Sequence, residues 1–182
     1  MSANFVLRLP TRRLFCAGLG IVATGIAAPP IMARAEPSSE SEQADRILVL
    51  KSKRKLLLLR GDNVVASFVV ALGAHPIGPK HFAGDQRTPE GLYEIDAMNP
   101  YSRFHLALRI SYPNAEDELR ARLAGRSPGG DIEIHGMPGG YGHFDPAAGV
   151  KDWTNGCIAV GNRAIEQIWS RVTVGTPVEI RG

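Results

Sequence analysis

Residues 131–162 read DIEIHGMPGGYGHFDPAAGVKDWTNGCIAVGN. Asp131–Ile134 alternates polar and apolar side chains as a half-buried strand does, and it runs directly into His135. Met137–Lys151 is rich in glycine and has no period, a loop of the length that compact domains keep for function. Thr154-Asn155-Gly156 gives a turn, Cys157 follows it, and Ile158-Ala159-Val160 resumes an apolar run. A thiol becomes a strong nucleophile on losing its proton, and an imidazole can take that proton. Consecutive backbone N–H groups around a glycine can face a developing oxyanion, because glycine lets the chain come close to a substrate. Alone, His135 reads as a satisfied core histidine and Cys157 as a small buried hydrophobe. A strand-end histidine, a glycine-rich loop and Asn-Gly-Cys in that order fit a cysteine acyl-transfer site.

Outward from this stretch the pattern is mostly strand. Ile47–Leu50, Leu56–Leu59, Val64–Leu72, Gly91–Ala97, Leu106–Tyr112 and Pro177–Arg181 are short and apolar or β-branched, and Gly61-Asp62-Asn63 marks a turn. Asn114 is placed to cap a helix over Ala115–Ala124, with Glu116, Asp117 and Glu118 in its first turn and Gly125 to stop it. Asn162 is placed to cap a second helix over Arg163–Arg171, where Ile165, Ile168 and Trp169 share a face. The expected fold is mainly β, a sandwich or barrel with two or so short packed helices. Gly73–Pro89 resists assignment and reads as a long functional loop.

The chain has 182 residues and a formal net charge of +3. Residues 1–35 hold Arg8, Arg12, Arg13 and Arg34 and no acidic residue. The other 147 residues carry 17 basic and 18 acidic side chains, a net of −1, so the catalytic portion has no excess field for a nucleic acid. Residues 1–35 read as a cleaved export signal: three arginines, an uncharged run from Leu14 to Ala33, and Ala33-Arg34-Ala35 before the cut. Gly18, Gly20, Gly25, Pro29 and Pro30 make that run a poor membrane span, so no stable span is expected after signal removal. Thr11-Arg12-Arg13-Leu14-Phe15 resembles the twin-arginine export motif, which points to the periplasm. Residues 36–45 form a polar linker and 46–181 the catalytic domain. Cys16 leaves with the signal, so Cys157 remains as the one thiol of the mature chain and has no disulfide partner within it.

Ile134-His135-Gly136 followed by Thr154-Asn155-Gly156-Cys157 resembles the catalytic motif of the L,D-transpeptidase family (YkuD-type domain), an Ile-His-Gly and then a [Ser/Thr]-His-Gly-Cys. Arg87-Thr88-Pro89-Glu90-Gly91-Leu92-Tyr93 is similar to the family's Thr-Pro-x-Gly-x-[Phe/Tyr] segment. Ser102-Arg103-Phe104-His105-Leu106, Ile110-Ser111-Tyr112-Pro113-Asn114 and Asp152-Trp153-Thr154 look like the YafK-like subgroup. The resemblance implies Cys157 as nucleophile, His135 as general base and acid, and the Gly136 carbonyl as orienter of the His135 ring. It implies the backbone N–H groups of Asn155, Gly156 and Cys157 as the oxyanion site. Asn155 stands where many members have histidine, and Ala159 where many have an arginine that could hold a carboxylate. Arg103, His105, His143, Trp153 and Thr154 are the remaining candidates for contact with substrate.

By that resemblance the substrates are peptidoglycan stem peptides, carbapenem-type β-lactams are inhibitors, and neither a metal nor an organic cofactor is needed. The spacing of His135, His143, Asp145 and Cys157 matches no common zinc pattern. Two other readings stay open. One is a hydrolase on the same scaffold, releasing stem peptides or wall-bound lipoprotein. The other is a wall-binding module without catalysis, for which Cys157 is inert. Papain-like peptidases place cysteine before histidine. Sortases share the order found here but need a Thr-x-Thr-Cys-like strand end and a later arginine.

Overall fold

The computed structural model describes residues 43–139 and 152–182. The export signal expected over 1–35, most of the linker, His143 and Asp145 lie outside these residues. Eight strands run in chain order as β1 (Arg46–Leu50), β2 (Lys55–Arg60), β3 (Asn63–Val69), β4 (Gly91–Asn99), β5 (Ala107–Ile110), β6 (Glu133–His135), β7 (Ile158–Ala159) and β8 (Pro177–Arg181). Two helices, α1 (Ala115–Leu123) and α2 (Asn162–Trp169), complete the elements among the described residues. The fold is mainly β, as the patterning implies.

The strands form one sheet in the order β3-β2-β1-β8-β4-β5-β6-β7. Neighbours are antiparallel except β1 with β8 and β6 with β7. β4 changes partner along its length, pairing with β8 over Gly91–Glu94 and with β5 from Ile95 onward, with an irregular register between Ile95 and Ala97. Such a shift sharpens local twist and bends the sheet. The chain leaving β3 then reaches the opposite edge. The Ala71 and Ala159 N–H groups each donate to the other's carbonyl at 2.9 Å, and Gly73 bridges Thr154. The sheet therefore curls into a half-barrel whose two edges are joined by residues 71–73. This is why the apolar run expected through Leu72 ends as a strand at Val69: its last residues cross to the far edge.

The concave core is aliphatic, with Ile47, Val49, Leu56, Leu58, Leu72, Ile95, Leu108, Ile110, Ile134, Ile158 and Ile180 all nearly inaccessible. Asn114 caps α1 as expected, its side chain accepting from the Glu116 and Asp117 N–H groups, while Asp117 returns a bond to the Asn114 N–H. Asp117 also accepts from the Tyr93 hydroxyl at 2.8 Å, which ties α1 to β4. The second helix differs from expectation. Its N-cap is Gly161, and it ends at Trp169. The Asn162 carboxamide oxygen instead accepts from the Met137 N–H at 2.8 Å. A long-range contact has taken the side chain that local pattern assigned to the cap.

Candidate active site

β6 carries His135 at its C-terminal end, and Cys157 immediately precedes β7. Ile134 pairs with Ile158 and His135 with Ala159, so the parallel register brings the histidine and cysteine segments side by side. His135 is 2% exposed. Its Nδ1 lies 2.7 Å from the Gly136 carbonyl. A carbonyl can only accept, so Nδ1 carries the proton and Nε2 keeps its lone pair. Phe104 lies against the imidazole with ring centroids 4.4 Å apart and planes 30° apart, and Trp153 meets it nearly edge-on at 5.9 Å. Burial pushes the imidazole pKa down; the Gly136 carbonyl opposes this, and the nearby Arg103 charge adds to it. The resting imidazole is therefore neutral.

The Cys157 thiol is half-buried and donates to the Asp131 carbonyl at 3.6 Å. Burial pushes its pKa up, the facing Glu133 N–H opposes this, and the Glu133 carboxylate raises it further. A thiol and an imidazole that burial both biases to the neutral form, carried on neighbouring segments of paired strands, suit proton transfer during attack, in contrast to a preformed thiolate–imidazolium pair.

The turn before Cys157 is shaped by Thr154. Its hydroxyl donates to the Cys157 carbonyl at 2.7 Å and accepts from the Gly156 N–H at 3.1 Å. The Gly156 N–H, one of three expected at the oxyanion, is thus engaged inside the turn. Gly156 has φ +132°, and a Cβ there would lie 2.7 Å from the Arg87 carbonyl oxygen, so both conformation and space require glycine. The approach to the turn is pinned at Asp152. That carboxylate takes the Arg54 guanidinium, with Nη2 at 2.6 Å and Nε at 3.1 Å, and accepts from the Leu72 N–H at 2.8 Å.

The unassigned loop 73–89 forms the neighbouring wall and is tied down from within. Lys51, 2% exposed, donates to the carbonyls of Gly78 at 2.6 Å and Thr88 at 2.8 Å and to Glu90 at 2.8 Å. Lys80 and Asp85 form a buried ion pair at 2.8 Å. Asp85 also accepts from the His81, Phe82 and Arg87 N–H groups. Burial alone would raise the Asp85 pKa, but the Lys80 ammonium and these N–H groups hold it below the usual carboxylate range.

Of the other residues singled out in the sequence, Arg103 is exposed, with its guanidinium carbon 4.9 Å from the Phe104 ring centroid. His105 Nε2 lies 2.7 Å from the Glu166 carboxylate of α2. Trp153 borders the imidazole, Thr154 is buried in the turn, and Asn155 is exposed. Sequence reasoning missed Phe104, Asp152 and Glu133 as neighbours of the site. The strand alternation Glu133-Ile134-His135 was the signal for Glu133. Nothing local marked the Arg54–Asp152 pair, whose members lie 98 positions apart.

The sequence profile of the L,D-transpeptidase catalytic domain (YkuD) matches residues 44–180, nearly the whole of the described fold. The chain belongs to that family. YafK of Escherichia coli (strain K12) is 32% identical over 101 residues, covering 53% of this chain and 32% of YafK, which supports the YafK-like subgroup. The chain thus spans about a third of the length of that curated relative. The crystal structure of the helical cell shape determining protein Pgp2 from Campylobacter jejuni is 25% identical, with a TM-score of 0.58 over 74% of this chain and 46% of Pgp2. Bd1075 of Bdellovibrio bacteriovorus shares the fold, with a TM-score of 0.53 at 24% identity over 78% of this chain and 49% of its own.

Proposed function

We propose that the protein is a peptidoglycan L,D-transpeptidase acting by cysteine acyl transfer on stem peptides of the bacterial cell wall. The observation that carries this reading is the His135 Nδ1 held at 2.7 Å on the Gly136 carbonyl, which leaves the Nε2 lone pair as the basic site on the strand paired with the segment that follows Cys157. In the proposed reaction the Cys157 proton passes to Nε2 as the sulfur attacks the stem carbonyl. The Asn155 and Cys157 N–H groups receive the oxyanion, since the Gly156 N–H is bonded to Thr154. Collapse breaks the carbon–nitrogen bond, and the imidazolium returns its proton to the leaving amine, D-alanine. The thioester then passes to an amine, giving a cross-link, or to water, giving hydrolysis. Arg103 is the proposed contact for the donor carboxylate.

The periplasm is the proposed compartment, reached through a signal cleaved after Ala35. The role in cell shape stated in the name of Pgp2 extends to this chain as part of the same proposal. Carbapenems are the proposed covalent inhibitors. The deciding experiment incubates purified muropeptides with the protein and reads products by mass spectrometry. Loss of D-alanine with a cross-linked or tripeptide product supports the reading. No product, together with an unmodified Cys157, favours the wall-binding module.

Hydrolysis has one specific observation in its favour. Ala159, where many members carry arginine, is fully buried and bonded to Ala71, so that position offers no cation to clamp a donor. Appreciable tripeptide beside any cross-linked product is therefore expected when an amine acceptor is supplied. Nearly exclusive cross-linking would show a strict transpeptidase.

A further inference from the structure

We infer that Glu133 is a specificity-determining residue that receives a primary ammonium group of the substrate beside the Cys157 sulfur. The inference rests on the acyl-transfer reading above. Glu133 lies two residues before His135 on β6, so the two side chains leave the same face of the strand. Ile134 lies opposite Ile158, which brings Glu133 level with Cys157, and the Glu133 N–H faces the sulfur. The Glu133 side chain is half-buried. Burial first, and then the neighbouring Asp131 charge, push its carboxyl pKa up, and the charges of Arg109 and Arg103 oppose this only in part.

The cations nearest to it have other engagements. Arg109 is its cross-strand neighbour on β5, but its guanidinium is turned to Asp96 at 2.8 Å. Arg103 lies over the Phe104 ring. Neither forms an ion pair with Glu133 among the described residues. A negative charge beside a nucleophilic thiol also works against the chemistry, since it makes the thiolate harder to form. A carboxylate at this position has a use if it meets a positive group that arrives with the substrate. A primary ammonium is compact and brings three donors. It can come from the side chain of a diamino residue in the donor peptide, or from an amine acceptor that is held as the ammonium and gives a proton to the neutral His135 imidazole before its nitrogen attacks the thioester.

The test has two arms, run with wild type, Glu133→Gln and Glu133→Asp. The first follows Cys157 acylation by intact mass, using a donor peptide with a free side-chain amine and its acetylated twin. The second follows transfer from the thioester to a D-amino acid and to its α-hydroxy analogue. In one arm the wild type is expected to favour the ammonium-bearing partner, and Glu133→Gln to cut that preference about ten- to a hundredfold, mainly through KM. Glu133→Asp should recover part of it. Loss in the first arm assigns the ammonium to the donor, and loss in the second to the acceptor. Equal preference in wild type and Glu133→Gln in both arms overturns the inference while leaving acyl transfer standing. No acyl adduct on Cys157 with either donor overturns the acyl-transfer reading and the inference with it.

Discussion

At the residue scale burial acts on Cys157 and His135 alike, favouring the neutral form of each. Burial raises the thiol pKa, so alkylation by iodoacetamide should climb steadily through neutral pH, with its midpoint above that of a free thiol. A midpoint below that of a free thiol would show a preformed thiolate. The imidazole works in the opposite sense. Its pKa is lowered, so the active neutral form persists below the ordinary histidine midpoint, and the acid limb of acylation should fall at lower pH than an exposed histidine would give. His135→Ala should slow acylation by about 10²–10⁴. Cys157→Ser should abolish turnover, and an intact-mass adduct with a carbapenem should vanish in Cys157→Ala. Gly156→Ala should destabilise the protein by about 1–3 kcal/mol, because a Cβ would meet the Arg87 carbonyl and φ is +132°. Chemical denaturation measures that cost. The motif residues themselves were legible in sequence because their spacing carries chemistry. Phe104 was not, because its value lies in a ring contact with a residue 31 positions away, and no local pattern encodes that.

At the element scale the loop 73–89 behaves as a scaffold. Its composition resembles a mobile segment, yet Lys51, Lys80 and Asp85 give it a polar interior of its own. Asp85→Ala leaves Lys80 charged and buried, and should cost about 3–5 kcal/mol in urea denaturation. The pH dependence has a definite sign. Asp85 is more acidic folded than unfolded, so its contribution is present above the unfolded carboxylate pKa and is lost as pH falls through the lower folded value. Replacing it should flatten the acid side of the stability profile. Asp152→Asn should spare most of the fold but loosen the approach to the Cys157 turn, lowering the acylation rate on the order of tenfold or more with KM little changed. α1 was readable from its Asn114 cap, α2 from the shared face of Ile165, Ile168 and Trp169, and most of the antiparallel strands from short apolar or β-branched runs. β7 was not, since two residues carry no period and exist as a strand only because β6 and Ala71 pair with them.

At the scale of the whole molecule the curled sheet is held by its edge-to-edge link. The amides of Ala71 and Ala159 should exchange with solvent only at the rate of global unfolding, whereas those on the exposed side of β3 should exchange far sooner. Hydrogen exchange read by NMR checks this. The export proposal is tested by Arg12→Lys with Arg13→Lys, which keeps the charge but removes both guanidinium groups. Loss of periplasmic protein supports the twin-arginine route, and normal yield returns the signal to the general one. The parallel joins were the part of the topology that sequence patterning could not supply, because they unite segments far apart in the chain. The β1–β8 pair has a consequence for synthesis. β8 sits between β1 and β4, so neither of those strands has its partner on that side until residues 177–181 have emerged from the ribosome. A nascent chain stalled near residue 176 would expose both unpaired edges to chaperones and proteases, and a fluorescent reporter of folding should show a lag that lengthens as elongation is slowed over residues 177–181.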